Sequence, residues 1–405
     1  MIHRAVLLAT ALLVAAPSVA APAWAAPAKM KMSKMKMVKA GISAQDWGTT
    51  QKGDKVQLFT LTGKGGMVAR ITNFGGVVVD LMVPDRHGKP VNVVLGYDDL
   101  ASYEKGGIYS ALIGPFANRL SLKFPVGGKI YEQPAPVARP AAPGAPPQTP
   151  RNYVQHSGGN GFQKRMWEAV MHDGPEPSVS LTIKDADGLG GFPGNVTVTV
   201  TYSVLADNTL VLDYTGTTDK PTVLNLTNHF YFNLNGGVKD ISDEKLTLFS
   251  SRYTPFDANA MPTGVVASVT GTPYDFTKPV RIGDRLALPD VVQTVADGVR
   301  IPGYDTSLLT DGVVGQLRPA ARMDDPDTGI VMVTFTTQPG LELYTDNINT
   351  QVKGRKGALY GNHWAISLET QRAADTPNHP NFTSAEVTPA SPLHEVTEYR
   401  FSTLE

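Results

Sequence analysis

A chain of 405 residues with 41% hydrophobic content can bury a large core, as one big β domain or as two smaller domains. A charged fraction of only 18%, together with 39 Gly and 31 Pro, points to many short strands and turns and argues against long helices. The net charge of −1 hides six Lys or Arg and no acid in residues 1–40, so the remainder carries 30 basic against 37 acidic side chains; that balance speaks against a nucleic-acid partner, and the absence of Cys excludes disulfide staples.

Residues 1–25 read as a secretory leader. Arg4 opens it, an apolar run covers 5–16, and small-residue cleavage options lie at Ser18-Val19-Ala20 and Ala23-Trp24-Ala25. The run is too short to span a bilayer, and no other stretch is apolar enough to do so. An exported protein, periplasmic or secreted from a bacterium, with no stable membrane insertion after cleavage, is the expectation. Residues 26–44, which include "KMKMSKMKMVKA", cannot bury a core and are expected to form a disordered lead-in. Met30, Met32, Met35 and Met37 could bind a soft metal, but a solvated linker is the reading adopted.

From Val56 onward, "VQLFTL", "GKGG" and "MVARI" form a hairpin pattern, followed by "GGVVVDLMV" and the turn "PDRHGKP". A Pro/Ala-rich stretch at 132–150 supports neither a ladder nor a helix and reads as an excursion within a single domain over 45–405. Strand patterns resume with "NVTVTVTYSVLA", "TLVLDYTGTT", "GIVMVTFTTQ", "LELYT" and "HWAISLETQ". The best helical candidate is "DRLALPDVVQTVADGV". The expected architecture is therefore all-β, a large antiparallel β-sandwich with few short helices.

Two of these segments carry chemistry. In "LTNHFYFNL" alternation puts Leu224, Leu226, Phe230, Phe232 and Leu234 on one face, and Val223, Asn225, Thr227, His229, Tyr231 and Asn233 on the other. The second face is a row of hydrogen-bonding groups suited to a ligand made of hydroxyls. In "HWAISLETQ" Trp364, Ile366 and Leu368 point one way, while His363, Ser367, Glu369 and Gln371 point the other. If both polar faces line one concavity, His229 and Glu369 could act as general acid and base. Taken singly, a strand His is more often structural and a strand Glu solvated. No HxH, HxxxH or HExxH spacing occurs, and no metal is expected.

These segments, together with "NVVLGYDDLASY", "IGPFANRL", "QHSGGNGFQKRMW", "MPTGVVASVTGTPYDF", "GYDTSLL", "TTQPGLELYTDN" and "NHPNF", stand in an order that resembles the aldose 1-epimerase (galactose mutarotase) family from about Trp47 to the C-terminus. The resemblance implies a galactose mutarotase-like β-supersandwich holding a monosaccharide, an aldohexose such as glucose or galactose, in an open cleft, with no cofactor. It implies His229 as the acid that protonates the ring oxygen and Glu369 as the base for the anomeric hydroxyl, and interconversion of α and β anomers by ring opening and reclosure. It further implies that Asn118, Arg119, His156, Asp305 and Gln338 hold sugar hydroxyls.

The chain departs from the family pattern at Pro115, at His156-Ser157-Gly158-Gly159 and at Thr306, positions that bear on sugar preference. A free His titrates near ~6.5 and a free Glu near ~4.3, so a Glu⁻/HisH⁺ pair is expected at mildly acidic to neutral pH with little perturbation. A glycoside hydrolase using Glu369 and Asp305, or a sugar-binding module without turnover, would use the same residues. The oligomeric state is left open.

Overall fold

Three antiparallel sheets share one buried core, and alternation decides which side chains each contributes to it. The computed structural model describes residues 38–136, 151–294, 300–348 and 351–404. The expected leader, residues 26–37 of the lead-in and residues 137–150 of the Pro/Ala-rich stretch lie outside the described residues.

The first sheet takes five strands in chain order: Gly41–Thr49, Lys55–Thr62, Val68–Thr72, Val78–Pro84 and Pro90–Asn92. Its first strand corrects the expected extent of the lead-in, because residues 41–44 already pair with 59–62. Ile42 packs against the core, and ladder bonds between main chains need no particular side chain. The start of the Pro/Ala-rich excursion is likewise ordered. Glu132 closes the strand Lys129–Glu132, and the buried Gln133 amide donates to Leu120 O and Ser121 O at 3.3 and 3.1 Å.

The large sheet orders nine strands as Glu168–His172, Ser178–Asp185, Val196–Val204, Thr209–Thr218, Leu393–Thr403, Ile330–Thr336, Arg318–Asp324, Lys245–Leu248 and Val280–Arg281. Period-two patterning is strict in Val196–Val204. Val196, Val198, Val200, Tyr202 and Val204 are buried, while Thr197, Thr199 and Thr201 face outward. The third sheet, which carries the candidate site, runs Ala267–Ser268, Arg252–Thr254, Asp305–Leu309, Gly340–Tyr344 and Ser367–Gln371. Leu308, Leu341, Leu343 and Leu368 on its inner face join Phe59 and Leu81 of the first sheet and Val200, Leu212 and Met332 of the large sheet in one cluster. Each such side chain contributes about 1.5–3 kcal/mol by leaving water.

"LTNHFYFNL" is not one strand. Among the described residues it forms only short ladder contacts, Thr227–Asn228 with Leu112–Ile113 and bridges from Phe232 to Val94 and Ile366, while Thr222–Val223 just before it pairs with Glu386–Val387. The segment threads between sheets, so several partners replace one continuous ladder. The alternation still sorts its apolar side chains, since Leu224, Leu226, Phe230, Phe232 and Leu234 all enter the main core, where the Tyr399 ring meets Phe230 edge-on at 5.0 Å and Phe232 at a tilt at 5.1 Å. The strand expected from "HWAISLETQ" begins only at Ser367. His363 has φ +60° and points its Nδ1 at Thr345 O, 2.9 Å away, which takes it off the strand face.

The helical expectation for "DRLALPDVVQTVADGV" is corrected over 284–294, and its last residues, 295–299, lie outside the described residues. A single turn, Ile282–Leu286, precedes the strand Val292–Thr294, because Pro289 cannot continue a helix and Val291 turns into the core. The other α-helix among the described residues is Leu100–Glu104, capped by Asp99.

Candidate active site

The outer face of the site sheet is polar and buried. Register sets Ser307 opposite Glu342 and Glu342 opposite Glu369, with Asp305 opposite Tyr344 and Tyr344 opposite Ser367. These six side chains therefore share one face. Gly303, which leads the chain into the Asp305 strand, has φ +121°, and a Cβ there would collide with the Asn347 side chain.

Two loops close over this face. Asn118 and His156 both adopt left-handed backbone, φ +59° and +50°. They are locked together: the His156 amide donates to Asn118 O at 2.8 Å, and the Asn118 amide donates to His156 Nδ1 at 3.1 Å. With Nδ1 accepting, a neutral His156 carries its proton on Nε2. Burial, followed by the nearby His229, Arg119 and Lys164, keeps His156 well below the usual histidine range.

Arg119 reaches across to the sheet. Its Nη2 pairs with Asp305 Oδ2 at 2.6 Å, its Nη1 donates to Asn118 Oδ1 at 3.0 Å, and its guanidinium lies 4.9 Å from the centre of the Phe256 ring. Burial opposes the charge, but Asp305 and Glu342 outweigh it and hold the guanidinium protonated above its ordinary range. Asp305 Oδ2 also accepts from Gln293 Nε2 at 2.6 Å.

His229 lies between these loops and the sheet. Its Nε2 is 3.3 Å from Glu369 Oε1, its Nδ1 is 3.3 Å from Ser367 Oγ, and its ring stacks on Tyr231 at 5.0 Å with His156 edge-on at 5.4 Å. The main chain fixes it on both sides, through His229 N to Ala111 O and Ser110 N to His229 O.

The contact with Glu369 has the spacing of an ion pair, but burial decides otherwise. It pushes His229 down to about 4, only partly offset by the histidine's own backbone hydrogen bond and by Asp305. Burial, then Glu342 and Asp305, push Glu369 well above the usual carboxyl range. The expectation of a Glu⁻/HisH⁺ pair without perturbation is thus overturned. Burial therefore favours the protonated carboxyl and the neutral imidazole over the charged pair, because neither charge is hydrated.

The remaining sequence candidates divide. Asn118, Arg119, His156, Asp305, His229 and Glu369 are brought together. Gln338 makes its bonds elsewhere: Nε2 donates to Glu395 Oε2 at 2.5 Å and Leu226 O at 3.2 Å, and Oε1 accepts from Arg372 at 3.3 Å. Asn225 and Asn233, expected in a ligand-facing row, spend their amides on main chain, Asn225 on Arg372 and Asn233 on Lys239 and Trp364.

Sequence reasoning missed Glu342, Ser307 and Gln293, and placed Ser367 on the polar face without giving it a role. The alternation of Gly340, Glu342 and Tyr344 against Leu341 and Leu343 in "GLELY" carried the signal for Glu342. Among the described residues, Glu369 Oε2, Glu342 Oε1, Arg119 Nε and both amide atoms of Gln371 are buried without a partner. A cavity of about 310 Å³ lined by Val126, Val223, Pro377, His379 and Phe382 contains none of the candidate residues.

Fold and site together define a β-sandwich protein with a buried carboxyl–imidazole pair flanked by a guanidinium and two further carboxyls. Residues 57–400 match the sequence profile of aldose 1-epimerases. The chain is 34% identical to the galactose mutarotase of Mus musculus over 82% of this chain and 90% of that protein, and 28% identical to the aldose 1-epimerase of Escherichia coli over 86% and 96%. Among solved structures, an aldose epimerase homologue from C. elegans superposes with a TM-score of 0.72 at 27% identity, covering 91% of this chain and all of that one. The galactose 1-epimerase of Lactobacillus acidophilus does so with 0.74 at 22%, with the same coverage. The chain belongs to the aldose 1-epimerase family, and it is an isomerase acting on carbohydrates.

Proposed function

We propose that this isomerase interconverts the α and β anomers of aldohexoses such as glucose and galactose, with His229 and Glu369 as its proton carriers. The observation that carries the assignment is the buried 3.3 Å contact between His229 Nε2 and Glu369 Oε1.

The neutral pair GluH/His and the charged pair Glu⁻/HisH⁺ hold the same single proton and differ only in where it lies. A sugar inserting its anomeric hydroxyl and ring oxygen between the two groups supplies the hydrogen bonds that burial withholds, and so stabilises the charged form. His229 then gives its proton to the ring oxygen while Glu369 takes the proton of the C1 hydroxyl, and the C1–O5 bond breaks to leave the open-chain aldehyde. Rotation about C1–C2 presents the other face of the carbonyl. Reverse transfers close the ring with C1 inverted, and the pair ends with the proton count it began with.

The neighbours fit a polyhydroxylated substrate. His156 keeps an Nε2 donor after Nδ1 is committed to Asn118, and Arg119 and Asp305, paired to each other, present a donor and an acceptor on one rigid unit. Gln338 has no part in this reading, its side chain being bonded to Glu395, Leu226 and Arg372.

The test is anomer exchange by NMR on α-glucose and α-galactose. Either H229A or E369Q should slow it by about 10²- to 10⁴-fold, the usual worth of a general acid–base step. Unchanged exchange in both variants, or release of aglycone from aryl glycosides, would defeat the proposal. We also propose that the protein is exported, on the strength of the leader-like residues 1–25; recovery of the full-length chain in the cytoplasmic fraction would refute this.

A further inference from the structure

The site holds a third carboxyl that the reaction as described does not use. Glu342 and Glu369 face each other across neighbouring strands, a placement that brings Cβ atoms to about 4.5–5.5 Å and is unfavourable for like charges. Both side chains are buried, 1% and 2% exposed, so water does not screen them. Ser307 Oγ donates a very short hydrogen bond to Glu342 Oε2, while Glu342 Oε1 and Glu369 Oε2 have no partner among the described residues.

We propose that Glu342 is a positioning residue for proton transfer: its carboxylate, held by Ser307 directly across the ladder from Glu369, keeps the catalytic proton on the Glu369–His229 pair. This rests on the assignment of that pair made above. Burial and then Asp305 hold the Glu342 carboxyl well above its ordinary range, with Arg119 and the Ser307 hydrogen bond partly offsetting them, whereas Glu369, raised by burial, Glu342 and Asp305, has only Arg119 to offset it. Glu342 therefore loses its proton first, and its charge makes a second loss, from Glu369, harder. A single carboxyl at Glu369 would surrender the shared proton at lower pH and leave the pair Glu⁻/His, with a base but no acid.

The charged and titratable groups facing this pair are Arg119 and Asp305 from across the site, His229 on the Glu369 side, and the phenols of Tyr231 and Tyr399, both of which sense Glu369. Arg119 and Asp305 are paired to each other, and Asp305 still raises both glutamates, so its charge bears on them alongside the effect of Glu342 on Glu369.

The experiment is the pH profile of anomer exchange for wild type, E342Q and E369Q. E342Q keeps the shape and removes the charge, so the alkaline limb should move to lower pH by on the order of one unit with little change on the plateau. Limbs coincident with wild type would overturn the proposal. A purely structural role would lower the melting temperature and leave the limb in place. Should E342Q not fold, ¹³C titration of the wild-type Glu369 carboxyl, identified by its absence in E369Q, should show two coupled steps, and a single step would overturn the inference. An active E369Q would instead sink the assignment of the catalytic pair, so the two failures are distinguishable.

Discussion

Two cross-strand pairs are directly opposed in register and have opposite consequences. In the large sheet Thr182 lies directly opposite Thr199, and their hydroxyls meet at 2.9 Å on a partly solvated face. In the site sheet Glu342 lies directly opposite Glu369 on a buried face, and each carboxyl keeps an oxygen without a partner among the described residues. An antiparallel ladder sets the spacing of any such pair and is indifferent to its chemistry. Two hydroxyls satisfy each other as donor and acceptor; two carboxyls do so only while a proton remains between them. The regular pair stabilises the fold slightly, and the irregular one stores an unsatisfied proton affinity, the property that acid–base catalysis needs.

The sharpest way to break this contrast is E369Q. The amide keeps the shape and removes a poorly solvated ionisable group, so exchange should fall by about 10²- to 10⁴-fold while stability to urea stays level or rises. A variant that is less stable and still active would show that Glu369 serves the fold instead. The complementary change is L212A in the core of the large sheet, where Leu212 is fully buried. It should cost about 2–5 kcal/mol in urea denaturation and leave the exchange rate of the folded fraction unchanged.

How far the sequence reached follows the same division. Strict alternation in Val196–Val204, and alternation through most of Thr209–Thr218, made the large sheet legible, because one face is wet and the other buried. The site sheet was legible only in part. Its polar face is buried as well, so the alternation in "GLELY" set Glu342 apart from Leu341 and Leu343 without showing that it joins the site. "LTNHFYFNL" alternated correctly but forms no single strand, since tertiary bridges to Val94 and Ile366 replace a ladder. The groups that hold His229, among them Ala111 O and Ser367 Oγ, are far from it in sequence. Family resemblance, not patterning, brought Asn118, Arg119, His156 and Asp305 forward. Gln338 came forward by the same route and is bonded to Glu395 and Arg372. The perturbed protonation of the pair was invisible without burial, because every free-residue value argued for an ordinary ion pair.

That perturbation gives a third, smaller effect. With His229 lowered to about 4, the pair takes a second proton only near that pH, so the acid limb of the exchange rate should lie there. An imidazole near its ordinary value of ~6.5 would take the second proton two and a half units sooner and cost about tenfold in rate by pH 5.5. The sign follows from burial: lowered proton affinity widens the active range toward acid. A midpoint close to 6.5 would mean that the imidazole is solvated in the working enzyme and that the contrast with the solvated face of the large sheet is false.

The smallest effect tests the ladder itself. A double-mutant cycle on T182A and T199A should return a favourable coupling of roughly 0.2–1 kcal/mol in urea denaturation, the usual size for a cross-strand hydroxyl pair. The same cycle on E342Q and E369Q should return a coupling of opposite sign at pH values where both carboxyls are ionised, since either substitution alone already relieves the repulsion and the second adds little. Because both pairs are directly opposed in register, a favourable coupling in both sheets would show that hydrogen bonding, and not charge, governs the buried pair. Glu342 and Glu369 would then share a proton so tightly that neither could serve as a base, and the catalytic carboxyl would have to be sought at Asp305.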